Sequence, residues 1–126
     1  MKKDICFLGV GIDVEDIDRF SRISLSKNKF FLKRIYTAVE LRYCLVKKFP
    51  APHLAVRFVG KEAVYKAMQN MLGQKKLSYN EIEIINKKGG QPIVKIKNNK
   101  FKNFKASISL SHSKDTAVAI AVVWKT

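Results

Sequence analysis

The sequence between Pro52 and Gly73 reads HLAVRFVGKEAVYKAMQNML, and this stretch decides the fold. Its apolar residues occupy nearly every side of the helix that it predicts, which is typical of a helix enclosed by the core rather than lying on one surface. Pro52 suits the first turn of a helix, and Gly73 suits the left-handed residue at which many helices end. We therefore expect a long central helix over residues 53–72.

Shorter elements precede this helix. The apolar run 5–12 predicts a buried strand that stops at the acidic stretch 13–16. A short helix over 16–23 is expected to follow it. Residues 37–40, Thr-Ala-Val-Glu, form a capping box, in which the hydroxyl and the carboxylate each accept a backbone N–H, and this predicts a helix over 38–48.

Strands dominate the second half of the chain. Alternating apolar positions predict two hairpins, with strands over 81–85 and 92–97 and over 106–111 and 116–124. Polar segments at 87–90 and 112–115 provide their turns. Because helices come early and strands late, we predict a single α+β domain over residues 1–126, with an antiparallel sheet packed against the long central helix.

The composition limits the class of protein. The chain of 126 residues has 25 Lys and Arg against 10 Asp and Glu, a formal net charge of +15. This charge favours a polyanionic partner, whether nucleic acid, an acidic protein, anionic lipid or a phosphorylated small molecule. Cys6 and Cys44 are too few for a disulfide framework and lack the spacing of a zinc site, which favours a reducing compartment. Without a signal-peptide cleavage site or an apolar run of about 20 residues, the protein is expected to be cytoplasmic.

Three places carry side chains suited to chemistry. Asp13 follows the first apolar strand, where a turn or helix-capping role is the commoner one. Glu62 and Lys66 lie four residues apart on the long helix, as either a simple helical ion pair or part of a site. His112 ends a strand among serines, a position more often structural than catalytic. Two carboxylates with cations around them suit a magnesium ion that holds a phosphate group.

Three motifs also stand in a specific order: Gly-Ile-Asp at 11–13 with Arg19, Arg-Phe-x-x-Lys-Glu-Ala-x-x-Lys-Ala at 57–67, and Leu-Ser-His at 110–112 before the small apolar strand 117–123. Together they resemble the bacterial holo-[acyl-carrier-protein] synthases, the small, trimeric class of 4'-phosphopantetheinyl transferases. Residues 34–37 with Glu40, and the turn 90–92, also match this family. Val59 and Ser113 depart from it mildly, and the resemblance covers essentially the whole chain.

The resemblance implies transfer of 4'-phosphopantetheine from coenzyme A to a serine of apo acyl carrier protein, with release of adenosine 3',5'-bisphosphate, in fatty acid biosynthesis. It implies that Asp13 and Glu62 hold Mg²⁺, and that Glu62, Lys66 and His112 are catalytic. The implied coenzyme A contacts are Arg57, Phe58, Lys61, Gly90, Pro92, Ser111 and Ser113. The base that deprotonates the serine is either Glu62 or a water on the metal.

The same resemblance implies the partners. Arg19, Arg22 and Arg34 are candidates for pairing with the acidic carrier protein. Lys47 and Lys48 are weaker candidates for the ribose phosphate of coenzyme A, since a solvated helix end is the favoured interpretation there. The family also implies a homotrimer in which neighbouring subunits share each active site, with neither nucleic acid nor a membrane as partner.

Two alternatives remain open at this stage. A small basic nucleic-acid-binding protein would explain the charge, but it would leave Asp13 and Glu62 facing phosphates, which is repulsive without a metal. A transferase that serves a peptidyl or polyketide carrier domain instead of acyl carrier protein would keep the same residues and differ only in its partner.

Overall fold

Eight helices and strands make up the part of the chain that this computed structural model describes, residues 7–126, with side chains from Leu8 onward. They are β1 (Phe7–Asp16), α1 (Lys29–Ile35), α2 (Ala38–Leu45), α3 (Pro50–Leu72), β2 (Ile82–Asn86), β3 (Pro92–Ile96), β4 (Phe104–His112) and β5 (Thr116–Lys125). Short 3₁₀ turns occupy Ile17–Phe20, Tyr79–Glu81 and Asn99–Phe101.

An antiparallel sheet in the order β1-β5-β4 packs on α3. Small buried side chains of the central strand face the helix: Ala117, Ala119 and Ala121. Glycines let β1 approach equally closely, because a Cβ at Gly11 would lie 1.9 Å from the carbonyl oxygen of Ala63. A Cβ at Gly9 would lie 2.0 Å from that of Ala67. The strand therefore rests directly on the helix backbone.

The two faces of β1 differ sharply. Successive strand residues point to opposite faces, so Asp13 shares the helix-facing side with Gly9 and Gly11. The opposite face carries a row of apolar side chains, each 61% exposed: Leu8, Val10, Ile12 and Val14. The sheet thus directs a carboxylate at α3 and presents an apolar surface outwards.

The other side of α3 holds a buried ion pair. Lys61 is fully buried, and its Nζ donates to Glu40 Oε1 at 2.7 Å, to the carbonyl oxygen of Tyr79 at 3.0 Å and to that of Ile82. Glu40 Oε2 in turn accepts from the backbone N–H of Ile84 at 2.9 Å. Burial lowers the pKa of Lys61, and the Glu40 carboxylate opposes that shift. This network ties α2, α3 and the start of β2 together.

Most predicted elements are observed, with two hairpins, a capping box at Thr37 and Glu40, and a long helix that ends at Gly73, where φ is +56°. The long helix starts at Pro50 rather than 53, and α2 ends at Leu45 rather than 48. The short helix expected over 16–23 is a 3₁₀ turn, Ile17–Phe20.

The prediction that the first strand stops at the acidic stretch 13–16 is wrong. Residues 13–16 continue β1, because Thr116–Ala119 of β5 pair opposite them. The start of the predicted strand, Ile5 and Cys6, lies outside the described residues, and Cys44 is a buried free thiol. Within residues 7–126, no helix combines the length and apolar character that a membrane crossing requires.

Candidate active site

Asp13 and Lys66 meet where β1 crosses α3. Lys66 Nζ lies 2.9 Å from Asp13 Oδ1 and donates to the carbonyl oxygen of Ile12 at 3.1 Å. The Asp13 side chain is 16% exposed and the Lys66 side chain 48%. The hydrogen bond and the charge of Asp13 raise the pKa of Lys66, so this side chain stays cationic at neutral pH. Asp13 is thus neither a turn nor a helix-capping residue.

Glu62 lies one helical turn before Lys66 and is half-buried. Among the described residues it forms no ion pair with Lys66, so the simple helical pair is not what the structure contains. Its Oε1 instead accepts a hydrogen bond of 2.8 Å from the Tyr79 hydroxyl. Burial, reinforced by the bonded Glu62 carboxylate, raises the pKa of Tyr79. The hydroxyl is therefore a donor at physiological pH.

These two carboxylates fit a divalent cation of the magnesium type. Asp13 lies 2.9 Å from Lys66 Nζ, Glu62 lies one turn before Lys66 on α3, and the charges of both carboxylates raise the pKa of Lys66. Across residues 7–126 there is no group of three or more His, Cys, Asp or Glu side chains that would form a full protein cage. Mg²⁺ characteristically takes one or two carboxylates and completes its shell with water and substrate phosphates.

A separate cleft of about 480 Å³ is lined by five of the other predicted residues. From the predicted set it is lined by Arg57, Gly90, Pro92, Ser111 and His112. It also contains Tyr43, His53 and Asn86, which sequence reasoning missed as functional residues. Of these three residues, only His53 could have been found from the sequence, because it lies one turn before Arg57 on the same helix.

Cations dominate the chemistry of this cleft. The Arg57 guanidinium lies 4.2 Å and Lys47 Nζ 4.3 Å from the centre of the Tyr43 ring, and the His53 ring packs edge-on against it at 5.8 Å. Arg57 donates to Asn86 Oδ1 at 2.7 Å, while its buried Nε has no hydrogen-bond partner among residues 7–126.

The pKa of His53 is lowered, first by burial and then by Arg57, Lys47 and His112. Protonated His53 is repelled by the neighbouring cations. An anionic ligand in the cleft would offset this repulsion, so the cleft is suited to such a ligand.

Some predicted coenzyme A contacts lie elsewhere. Lys61 is withdrawn into the core by its three acceptors, so its placement contradicts a role in holding phosphate. Phe58 packs between the rings of Phe20, at 5.5 Å, and Tyr79, at 6.2 Å. Ser113 Oγ accepts the backbone N–H of Thr116 at 3.3 Å and supports the β4–β5 turn. Neither Phe58 nor Ser113 lines the cleft.

The three predicted docking arginines are exposed. Arg19, with a side chain 60% exposed, pairs with Glu15 at 2.5 Å. Arg34 lines a second cavity of about 560 Å³ between α1 and the 3₁₀ turn Tyr79–Glu81, and Arg22 lies in the loop before α1. Lys48 is exposed beside Phe49 at the end of the α2–α3 connection, so only Lys47 of that pair adjoins the cleft.

The fold and this set of residues define the class of protein: the family model of the 4'-phosphopantetheinyl transferase superfamily matches residues 9–123. The holo-[acyl-carrier-protein] synthase of Chloroherpeton thalassium is 41% identical over 116 residues, which cover 90% of this chain and 95% of that protein. The synthase of Chlorobaculum parvum is 37% identical over 114 residues, which cover 90% of this chain and 96% of that protein. This chain belongs to the holo-[acyl-carrier-protein] synthase family and is a transferase.

A solved structure supports the fold. The holo-(acyl-carrier-protein) synthase from Bacillus anthracis, in complex with CoA (3',5'-ADP), matches with a TM-score of 0.74 at 30% identity. The match covers 94% of this chain and 96% of that chain. It confirms the predicted α+β fold with an antiparallel sheet and a long central helix.

Proposed function

We propose that this protein transfers 4'-phosphopantetheine from coenzyme A to a serine of apo acyl carrier protein, with Mg²⁺, and thereby supports fatty acid biosynthesis in the cytoplasm. One observation carries the proposal: a cationic cleft with Arg57, His53 and His112 in a chain whose relatives include a synthase complexed with CoA. The cleft suits a ligand with several phosphates, and the motif carboxylates suit the cation that accompanies them.

The reaction needs few covalent steps from the protein. The serine hydroxyl attacks the phosphorus next to pantetheine and loses its proton. The bond from that phosphorus to the bridging oxygen breaks, and adenosine 3',5'-bisphosphate leaves with the bond electrons. A bound Mg²⁺ supplies charge neutralisation on the diphosphate and orients it. Positioning and electrostatic stabilisation therefore account for most of the expected rate.

Different residues of the site perform different parts of this reaction. Asp13 and Glu62 would hold the cation, and the Lys66 ammonium, held at 2.9 Å from Asp13 Oδ1, balances charge that develops on the phosphate oxygens. Arg57, with His112 at the cleft, binds the nucleotide phosphates. Glu62 is one candidate for accepting the serine proton, since Lys66 is cationic, and a water at the cation site is the other.

We further propose that the working form is a homotrimer with active sites at the subunit interfaces. Two observations support this. The outer face of β1 exposes an apolar row, Leu8 to Val14 in alternation, and exposed apolar surface of this kind marks an interaction site. Arg57 precedes Glu62 by five residues, which places them about 140° apart around α3. A site that uses both groups is completed most simply by a neighbouring copy.

Docking of the carrier protein is assigned to Arg19, Arg22 and Arg34. All three are exposed, and the chain carries a formal net charge of +15. An acidic partner would be attracted over a distance comparable to the Debye length, which raises its association rate at low salt. Acyl carrier protein is the carrier that the names of the relatives indicate.

Intact-mass spectrometry tests the reaction directly. Apo acyl carrier protein incubated with the enzyme, coenzyme A and Mg²⁺ should gain one phosphopantetheine mass. Chelator should abolish the gain, and Asp13→Asn and Glu62→Gln should reduce its rate by orders of magnitude, because each removes a charge that the cation needs. Near-normal turnover of both variants at saturating Mg²⁺ would contradict the metal assignment. No gain on a carrier proven competent with another transferase would point to a different carrier.

A further inference from the structure

Tyr79 brings a hydroxyl to the carboxylate site that no motif indicated. It lies in the 3₁₀ turn Tyr79–Glu81, seventeen residues beyond Glu62, and donates to Glu62 Oε1 at 2.8 Å. We propose that Tyr79 is a positioning residue that holds the Glu62 carboxylate in the orientation that receives a divalent cation. This inference rests on the proposed function, in which Glu62 is a ligand of that cation.

The Tyr79 ring is held by its neighbours. Its centre lies 6.2 Å from the centre of the Phe58 ring and 5.8 Å from that of the Tyr65 ring. Aromatic packing at these separations restricts where the hydroxyl can point. The donor is therefore fixed before the cation arrives, rather than recruited by it.

The backbone of Tyr79 is held as well. Its carbonyl oxygen accepts from Lys61 Nζ at 3.0 Å, and the same ammonium is anchored on Glu40 Oε1 at 2.7 Å. A fully buried ion pair thus supports the turn that carries the tyrosine. Lys61 therefore acts on the site through the Tyr79 backbone and not through a phosphate.

The hydrogen bond affects Glu62 itself. A glutamate side chain has several rotatable bonds, and ordering it for a ligand costs conformational entropy. The Tyr79 hydroxyl orders it in advance and occupies Oε1. Within the described part of the chain, Oε2 accepts no hydrogen bond, so that oxygen faces no competitor for a cation. Partners of this kind usually account for about 10- to 100-fold in metal affinity.

The test uses Tyr79→Phe, which removes only the hydroxyl and keeps the ring packing. Tyr65→Phe is the matched control, because it deletes a neighbouring hydroxyl that forms no hydrogen bond to Glu62. Mn²⁺ binding to each enzyme with coenzyme A present is measured by electron paramagnetic resonance and corrected with a coenzyme A titration alone. The Mg²⁺ concentration for half-maximal transfer and the thermal midpoint are measured in parallel.

We expect Tyr79→Phe to weaken Mn²⁺ binding about 10-fold and to raise the half-saturating Mg²⁺ concentration similarly. Turnover at saturating Mg²⁺ should largely recover, because the carboxylate itself remains. Tyr65→Phe should leave both quantities within about twofold of the wild type. In a Glu62→Gln background, adding Tyr79→Phe should change Mn²⁺ affinity little, since coupled residues are not additive.

Two results would overturn the inference. If Tyr79→Phe binds Mn²⁺ like the wild type, the hydroxyl does not position the ligand, and the proposed reaction stands without it. If it lowers the thermal midpoint and turnover with no change in cation affinity, its role is structural only. A wild-type enzyme that binds no Mn²⁺ and transfers no phosphopantetheine would overturn the proposed function together with this inference.

Discussion

Replacing Lys61 with methionine tests the buried ion pair that supports both the core and the site. The substitution leaves an unbranched side chain one atom shorter and removes the donor to Glu40, to the carbonyl oxygen of Tyr79 and to that of Ile82. Glu40 then stays buried and, within the described part of the chain, retains only the backbone N–H groups of Thr37 and Ile84 as donors. Removing one partner of such a pair typically costs about 3–5 kcal/mol.

That loss is large relative to the stability of a domain of this size, which is usually about 5–15 kcal/mol. With a urea m-value of about 2 kcal/mol/M, the unfolding midpoint should fall by roughly 1.5–2.5 M. The measurement is urea denaturation followed by far-UV circular dichroism, at neutral pH, with the m-value compared between variants.

Lys66→Met provides the matched control, because it is the same change on the same helix at an exposed position. Its pair with Asp13 is screened by water, so the expected loss of stability is much smaller. Adding Glu40→Gln to Lys61→Met should recover part of the stability, since it removes the uncompensated buried charge while the amide oxygen still accepts from one of the two backbone N–H groups. Equal losses for the two methionine variants would refute the assignment of Lys61 as a buried structural residue.

Other variants test the fold, the cleft and the docking surface. Gly11→Ala places a Cβ 1.9 Å from a carbonyl oxygen of α3, so thermal denaturation should register a loss of about 3 kcal/mol or more, whereas Gly89→Ala, with open space around it, should change little. A bound polyanion favours protonated His53, whose pKa is otherwise lowered, so coenzyme A binding should take up a proton. Calorimetry should therefore show that the affinity of the wild type for coenzyme A, relative to that of His53→Gln, increases below about pH 6.5. The phosphate of coenzyme A also titrates in this range, but it affects both proteins equally and cancels in the comparison. Arg19→Glu should raise the KM for carrier protein and flatten its salt dependence in steady-state kinetics without changing the KM for coenzyme A; an effect on coenzyme A alone would contradict the docking assignment.

Local patterns determined the elements that the sequence could predict. The long helix, the capping box at Thr37 and both hairpins depend on periodicity and on residues a few positions apart. The acidic stretch 13–16 was wrongly predicted to end the first strand, because its composition is typical of a turn. Its strand structure depends instead on pairing with Thr116–Ala119, about a hundred residues away. Pairing between distant segments overrode local preference there.

The residues of the candidate site also divide into those that the sequence could predict and those that it could not. Resemblance to a family selected Asp13, Glu62 and Lys66, whose charges interact in the structure, but it assigned Lys61 to coenzyme A although that side chain is buried. The surroundings of Lys61 and Lys66 differ, since Lys61 lies seven residues from both Leu54 and Met68 on a buried face of the helix. That spacing was a usable signal. Tyr79 offered none, because its contact with Glu62 exists only after the chain has folded back on α3.

One helix thus organises two kinds of chemistry. Along α3, Arg57 faces the cationic cleft, while Glu62 and Lys66 lie about 140° and about 180° further around the axis, and Lys66 meets β1 there. A single rigid helix cannot turn both sets toward one small volume. The substrate must therefore reach around the helix, or a second copy must bring the missing set. The apolar outer face of β1, whose Ile12 and Val14 flank Asp13 in the sequence but point to the other side of the sheet, is the exposed surface on which such a copy would rest. Subunit association and metal binding would then be coupled, and a charge placed at Ile12 should weaken both together.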